Sequence, residues 1–329
     1  MARIRSNDEG MWLGERFIPM PRTISAEAQA FLANPMFQSP PASPALDDAA
    51  GWKAYAAGID AAMIAAMKAN VHRTPGTLRE HRLAHGTLFE AIPEALRPGG
   101  EDRAVLNIHG GAFICGGGEA AALAGVQLAG RTGLKCYSLD YRMPPDHPFP
   151  AAVEDSCEAL RFVLARHDPA HVALYGGSAG ANLVAVAVWL GRDEGLPLPA
   201  ACVLHSPGSD LSGSGDSQHA NADLDVVLGG GDGAALRLYA GGHDLADPRL
   251  SPIHADYTPG FPPTILTTGT RDLLLSDTVR LHRKLRRAGI AAELHVWEAM
   301  CHGLAHDAPE AREVLGEQVA FIHRHLGLG

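Results

Sequence analysis

The chain has 329 residues, of which 46% are hydrophobic and 19% charged, and its formal net charge is −10 at pH 7. This composition is typical of a soluble globular protein, and no apolar run reaches the roughly 20 residues that a membrane-spanning helix needs. The negative charge disfavours nucleic acid and anionic lipid as partners. The five cysteines contain no Cys-x-x-Cys pair, and the amino-terminal residues lack the apolar stretch of a secretion signal. We therefore expect free buried thiols and a cytoplasmic location.

Residues 1–75 differ in composition from the rest of the chain, because they carry several large apolar side chains and a proline-rich segment at 39–44. Tyr55, Ile59, Met63 and Met67 recur at helical spacing within this region. Such a stripe is typical of core packing, although a helix that covers a pocket would show the same pattern. The prediction is a cap region over 1–75 and a larger domain over 76–329.

From residue 77 onwards the pattern predicts alternating strands and helices. The runs 77–83 and 87–92 favour a hairpin at a sheet edge. Six later runs are apolar almost throughout, which predicts parallel strands buried on both faces: 104–109, 134–140, 171–176, 200–206, 263–269 and 292–298. The segments between them carry helical stripes. Together they predict a doubly wound α/β fold with a mostly parallel eight-stranded sheet and helices on both faces.

One interval, 208–249, interrupts this alternation and is rich in Gly, Ser and Asp. We interpret it as an excursion at the carboxyl edge of the sheet that contributes to the cap, with a short helix near 234–239.

The stretch Gly176 to Gly180 fits the pattern G-x-S-x-G at a point where a predicted strand ends and a helix begins. A serine in such a tight turn needs neighbours without bulk, so glycines on both sides let the turn close and leave the hydroxyl of Ser178 exposed. In a chain with 37 glycines the pattern alone is weak evidence. The groups that would activate a serine must therefore be found elsewhere in the sequence.

Two such groups follow predicted strands. Gly110 and Gly111 come directly after the strand 104–109, where their backbone N–H groups, with that of Ala179, are predicted to form an oxyanion hole. Asp272 follows the strand 263–269 and is the predicted orienting acid, whereas Asp277 is typical of a helix start.

The general base must be a histidine near the carboxyl edge of the sheet. The predicted helices account for His282, His323 and His325, and the last strand accounts for His295. His302 lies in the loop after that strand and is the predicted base, with His306 as the alternative. The chain order Ser, Asp, His is the order expected of an α/β-hydrolase.

These residues lie within four blocks of sequence: 109–113, 140–155, 175–183, and a tail that includes 271–277 and 297–303. In these blocks the chain resembles the hormone-sensitive-lipase-like branch of the α/β-hydrolases, the bacterial family IV carboxylesterases. The resemblance implies that Ser178 is the nucleophile, that His302 is the general base and acid, and that Asp272 orients it. It also implies an N-terminal helical cap, a catalytic domain over 76–329, no metal or cofactor, and a homodimer as one expected assembly.

The chain departs from this family at two positions. Relatives often have Asp before the nucleophile and Gly after the pattern, whereas this sequence has Gly177 and Ala181. Some relatives with a similar pattern hydrolyse lactones or amides, so the departure leaves the substrate open.

The predicted function is a serine carboxylesterase that hydrolyses small short- to medium-chain esters through an acyl-enzyme on Ser178. A lactone hydrolase or an amidase/deacetylase with the same triad is the alternative. A non-catalytic ligand-binding protein is the remote alternative, because the plant gibberellin receptors resemble the same branch. Those receptors lack the catalytic histidine, whereas this chain has His302, which disfavours the alternative. Dinucleotide binding is disfavoured because G-x-G-x-x-G requires glycine at position 178.

Overall fold

The computed structural model describes residues 5–7, 10–12, 17–34, 42–70, 76–229, 231, 233–303 and 308–329. In these ranges the strands are β1 (Arg5–Asn7), β2 (Gly10–Trp12), β3 (Gly76–Arg82), β4 (Thr87–Pro93), β5 (Ala104–Ile108), β6 (Lys135–Asp140), β7 (Val172–Gly177), β8 (Ala201–His205), β9 (Thr264–Gly269) and β10 (Ala292–Trp297). The α-helices are α1 (Ala26–Leu32), α2 (Ala49–Asn70), α3 (Glu119–Thr132), α4 (Ala151–Leu164), α5 (Ala179–Asp193), α6 (Ser217–Ala220), α7 (Ala234–Ala240), α8 (Leu275–Arg287) and α9 (Pro309–His325).

Strands β3 to β10 form one eight-stranded sheet in the order β10-β9-β8-β7-β5-β6-β4-β3. Its pairs are parallel except β3–β4 and β4–β6, and the hairpin β3–β4 lies at one edge. The predicted α/β fold with a mostly parallel eight-stranded sheet is therefore confirmed. The central strands are fully buried, as in β5 and β9, because helices cover both faces of the sheet.

Strand β10 is the exception to the predicted burial on both faces, and that part of the prediction is wrong. Most of its residues are partly exposed, and Val296 is 44% exposed. The strand lies at the other edge of the sheet, where β9 is its one partner among the described strands. Helix α8 packs against β9 and β10, whereas α9 packs mainly against β8 and β9, so one face of β10 is incompletely covered.

The helices confirm the predicted periodic segments. Helix α4 packs against α5 on one face of the sheet, and α3 packs against β4 and β6. Helix α7 lies where a short helix was expected within 208–249. All five cysteines are buried and unpaired, as predicted. No helix in the described part of the chain is long and apolar enough to cross a membrane.

Within the described residues, helices α1 and α2 precede the eight-stranded sheet. Helix α2 contains the predicted apolar stripe and packs against α3. Its buried Trp52 lies in one cluster with Ile114 and Cys115 from the loop after β5 and with Ala234 from α7. Helix α1 packs against α9. The predicted domain boundary at residue 75 falls in 71–75, outside the described residues.

Candidate active site

Ser178 occupies a sharp turn between β7 and α5. Its backbone has φ 56° and ψ −121°, a conformation that residues with a Cβ rarely adopt and that costs on the order of 1–3 kcal/mol. The backbone N–H of Ser178 donates to the carbonyl of His205 at 2.8 Å, which ties the turn to the end of β8. The serine side chain is half-buried. The turn therefore holds the hydroxyl at the carboxyl end of the central strand.

The glycines of the turn are required by close backbone contacts. A Cβ on Gly176 would lie 2.5 Å from the carbonyl carbon of Gly180, and a Cβ on Gly180 would lie 2.0 Å from the carbonyl oxygen of Ile108. At Gly177, by contrast, the nearest atom would be Cδ2 of His205 at 3.8 Å, an ordinary contact distance. The predicted need for glycine thus has a steric basis at 176 and 180 but not at 177.

Residues 109–116, called here the glycine loop, lie directly against this turn. A Cβ on Gly110 would be 2.8 Å from the carbonyl oxygen of Gly177 and 3.3 Å from Cβ of Ser178. Gly111 has φ 106°, and its carbonyl accepts hydrogen bonds from the N–H groups of Ile114 and Cys115. The absence of a side chain at position 110 allows the loop to approach the serine, and its absence at position 111 allows the loop to turn back on Cys115.

His109 fixes the start of the glycine loop. Its ring stacks on Tyr141 with centroids 4.1 Å apart, and its Nδ1 lies 2.7 Å from the carbonyl oxygen of Gly110. Burial lowers the pKa of His109 to about 4, so the ring is neutral at pH 7 and Nδ1–H donates this bond. The hydroxyl of Tyr141 donates to the carbonyl of His109 at 3.2 Å.

Asp272 and His302 are brought together at the same edge of the sheet. Asp272 lies in a loop after β9 (residues 270–274, the Asp272 loop), and His302 lies in the loop after β10 (residues 298–303, the His302 loop). Nδ1 of His302 is 3.2 Å from Oδ1 of Asp272. Both side chains are buried, with exposed fractions of 6% for His302 and 0% for Asp272.

Charge shifts the pKa values of this pair in opposite directions. Burial opposes ionisation of Asp272, but the charge of His302 and hydrogen bonds from His302 and Ser206 lower the pKa of Asp272 to about 2. Burial would lower the pKa of His302, but the charges of Asp272 and Asp225 raise it above 6.5. The carboxylate accepts a hydrogen bond from Nδ1–H. In the neutral imidazole Nε2 is therefore the unprotonated nitrogen, which can accept a proton.

Several supporting residues were not predicted from the sequence. The hydroxyl of Thr268 donates to Oδ2 of Asp272 at 2.8 Å, and the hydroxyl of Ser206 donates to the same oxygen. The side-chain amide of Asn221 donates to the carbonyl of Asp272 at 2.9 Å. Ser206 and Thr268 lie at or just after the carboxyl ends of β8 and β9, and that position is the one signal that could have identified them.

The other histidines considered as the base lie elsewhere. His282 is in α8, His323 and His325 are in α9, and His295 is in β10, as predicted. His306, the alternative base, lies in 304–307, outside the described residues. Among the described residues no group of three His, Cys, Asp or Glu side chains could hold a metal ion.

With this geometry in place, comparison with known proteins identifies the family. A family model described as an α/β-hydrolase fold matches residues 105–306. An acetyl-hydrolase of Streptomyces hygroscopicus is 35% identical over 252 residues, which cover 74% of this chain and 83% of the relative. The carboxylesterase NlhH of Mycobacterium tuberculosis is 34% identical over 68% of this chain and 73% of its own length. The crystal structure of an esterase from the bacterial hormone-sensitive lipase family has a TM-score of 0.74 at 29% identity, covering 93% of this chain and 99% of that chain.

The chain belongs to the hormone-sensitive-lipase-like carboxylesterases of the α/β-hydrolase family. The likeness extends beyond the matched domain of this hydrolase. The crystal structure of esterase E25 aligns with a TM-score of 0.88 at 34% identity, covering 97% of this chain and 99% of E25. The first α-helices of the hydrolase therefore have counterparts in a solved esterase, because such coverage leaves few residues unmatched.

Proposed function

We propose that this hydrolase is a serine carboxylesterase that cleaves short- to medium-chain esters through an acyl-enzyme on Ser178. In this proposal His302 is the general base and acid, and Asp272 orients it. The observation that carries the proposal is that a strained serine turn and a buried Asp–His pair lie at the carboxyl ends of β7, β9 and β10. A strained serine next to a glycine loop has no evident structural use, since the strain destabilises the fold.

The first half of the reaction forms the acyl-enzyme. Oγ of Ser178 attacks the ester carbonyl carbon while Nε2 of His302 takes the hydroxyl proton, and the carbonyl electron pair moves onto oxygen. The N–H groups of Gly110, Gly111 and Ala179 stabilise this oxyanion. The carbonyl then re-forms, the bond to the alcohol oxygen breaks, and the alcohol leaves with the proton from His302.

The second half releases the acid. Water attacks the acyl carbonyl carbon while Nε2 of His302 takes its proton, and the oxyanion returns to the same N–H groups. Collapse of this intermediate breaks the bond to Oγ, which recovers its proton from His302. Asp272 remains ionised throughout, because its pKa is about 2, and it stabilises the imidazolium in both halves.

The proposal includes a cap built from residues 1–75 and from 208–249. Helices α2 and α7 supply Trp52, Tyr55, Ala234 and Leu238 to the cluster that contains Ile114 of the glycine loop. An apolar cover of this kind favours apolar acyl or alcohol groups. A cytoplasmic location and a homodimer stay predictions from the sequence.

A deacetylase or lactone hydrolase with the same triad is the second candidate. Its support is the name of one relative, the acetyl-hydrolase of Streptomyces hygroscopicus. Gly177, the departure from the family pattern, also leaves the position beside His205 without a side chain. All of these reactions use the same acyl-enzyme, so they differ in the leaving group and not in the residues proposed.

The test is a series of p-nitrophenyl esters from acetate to palmitate with the wild type, Ser178→Ala and His302→Ala. We expect the highest kcat/KM at short or medium chains and losses of roughly 10⁴-fold or more in both variants, because each removes a member of one reacting unit. The matched control is His219→Ala, which replaces an exposed histidine of α6 and should leave kcat unchanged.

Lactones and N-acetyl arylamides are assayed with the same variants. Faster turnover of either class than of every ester, still dependent on Ser178, would replace the ester assignment and keep the mechanism. Turnover that survives in Ser178→Ala would overturn the mechanism itself.

A further inference from the structure

A second buried carboxylate, Asp225, contacts both loops that carry the proposed Asp–His pair. Its Oδ2 accepts a hydrogen bond from the N–H of Leu273 at 2.8 Å, in the Asp272 loop, and from the N–H of His302 at 3.3 Å, in the His302 loop. The side chain is only 2% exposed. One oxygen of Asp225 thus joins two loops that are about thirty residues apart in sequence.

The other oxygen of Asp225 closes a turn in its own segment. Oδ1 accepts from the N–H groups of Val227 and Leu228 at 3.0 and 3.1 Å. The N–H groups that point at the two oxygens leave no acceptor for a carboxylic proton, so the arrangement fits the ionised form. The pKa of Asp225 lies above its usual value, because burial and the charge of Asp272 outweigh the charge of His302 and the backbone hydrogen bonds, which lower it.

Asp225 is the second negatively charged group that acts on the His302 imidazole, after Asp272. Among the described residues, the charged groups that raise the pKa of His302 are Asp272 and Asp225. Its neighbour Cys301 is a buried thiol with a pKa of about 12, so it stays uncharged. From the amino-terminal side α1 contributes apolar contacts to this loop, and α9 does the same from the carboxyl-terminal side.

We propose that Asp225 is a positioning residue of the hydrolytic reaction: its carboxylate fixes the Asp272 and His302 loops relative to each other and adds a second negative charge beside the imidazole. The proposal rests on the role of His302 proposed above. Position and charge have separate consequences. Loss of the contacts lets the loops separate and lowers kcat, because small misplacements of a catalytic base are costly. Loss of the charge destabilises the imidazolium and lowers the pKa of His302.

The test compares Asp225→Asn with the wild type in kcat, KM and the pH dependence of kcat/KM. We expect the acidic limb to move to lower pH by roughly half a unit to one unit. We expect kcat to fall roughly 10- to 100-fold, with KM nearly unchanged because the carboxylate of Asp225 is buried and accepts from backbone N–H groups. Asp210→Asn is the matched control, since Asp210 is also 2% exposed and lies in the same segment but contacts Ser212, Ser214 and Arg280.

A direct titration separates this proposal from the proposed function. NMR of ¹³C-labelled histidine in the Ser178→Ala background measures the pKa of His302 without any turnover, and the His302→Ala spectrum assigns its signal. Turnover that survives in Ser178→Ala would reject the acyl-enzyme mechanism. The titration would still test whether Asp225 acts on His302, because it needs no turnover. An unchanged pKa of His302 in Asp225→Asn, or an equal shift in Asp210→Asn, would overturn the proposal.

Asp225→Glu is the second variant if the amide variant does not fold. It keeps the charge but displaces the carboxylate by one methylene group. We expect the pKa of His302 to stay above 6.5, as in the wild type, and kcat to fall. A kcat equal to that of the wild type would show that the loops do not depend on this carboxylate.

Discussion

Strained backbone is concentrated around Ser178. Positive φ occurs at Ser178 itself, at Ala112 and Phe113 of the glycine loop, at Ser206, whose hydroxyl donates to Asp272, and at Ala299 of the His302 loop. Each of these residues carries a Cβ, so each conformation costs free energy that the surrounding packing must offset. For Phe113 the offset is visible, since its ring stacks on Tyr239 of α7 with centroids 3.9 Å apart. The strain is therefore located where the proposed reaction needs fixed groups.

The glycines of the turn allow a residue-scale prediction with an internal control. Gly180→Ala should lower the melting temperature by roughly 2–5 °C, because its Cβ meets the backbone of β5 and overpacking of this kind costs about 1–3 kcal/mol. Activity should fall by at least roughly 100-fold as the turn shifts. Gly177→Ala, whose Cβ meets no atom closer than 3.8 Å, should change the melting temperature by less than roughly 1 °C and keep most of its activity. Thermal melts and ester assays check both, and equal effects of the two substitutions would contradict the steric argument.

At the scale of elements, a hydrogen bond connects α2 to the glycine loop, beside the apolar contacts between them. Oδ1 of Asp60 accepts a hydrogen bond from the N–H of Gly116 at 2.6 Å, and burial raises the pKa of Asp60. Gly116 has φ 98°, and a Cβ there would lie 2.6 Å from Nδ1 of His109. The helix before the sheet thereby fixes the end of the loop whose start approaches Ser178.

Removal of this contact should affect the reaction through the loop. In Asp60→Ala the N–H of Gly116 loses its partner, so we expect kcat for p-nitrophenyl butyrate to fall roughly 10-fold or more. Asp60→Asn keeps an acceptor oxygen and should recover most of the loss.

The matched control for Asp60 is Lys68→Ala, which removes an exposed ion pair between α2 and α3. Such pairs contribute little, so its kinetics should equal those of the wild type. A wild-type kcat in Asp60→Ala would show that the glycine loop holds its position without α2.

At the scale of the whole molecule, the sheet order explains which parts of the site could be predicted. Ser178, Asp272 and His302 each follow a strand with a clear apolar pattern, and parallel strands bring their carboxyl ends to one edge. Asp60 and Asp225 could not be predicted in this way. Asp60 is one polar residue on a helix defined by its apolar stripe. Asp225 lies in a Gly- and Asp-rich segment without periodicity, where only the folded chain shows which carboxylate turns inward.

A buried acid that contacts the same segment makes stability depend on pH. Asp277 of α8 is buried, and its Oδ2 accepts from the N–H of Asp210 at 2.9 Å, while Oδ1 has no hydrogen-bond partner within the described residues. Burial is the main cause that raises the pKa of Asp277 from 3.8 to about 7. Between these values the folded chain keeps a proton that the unfolded chain has released. The free energy of unfolding therefore falls as the pH rises across this interval, by up to roughly 1.4 kcal/mol per unit.

Asp277→Asn removes this ionisation while keeping the shape of the side chain. We expect its melting temperature to be slightly higher than that of the wild type at pH 5 and several degrees higher at pH 8, because the wild type loses stability throughout the interval from 3.8 to about 7. Asp146→Asn is the control, because Asp146 is exposed and pairs only with the exposed Lys53 among the salt bridges of the described residues. Melting curves at pH 5, 6, 7 and 8 measure the difference. A constant difference between Asp277→Asn and the wild type at all four values would mean that Asp277 is ionised throughout, and that the segment 208–217 stabilises its charge despite burial.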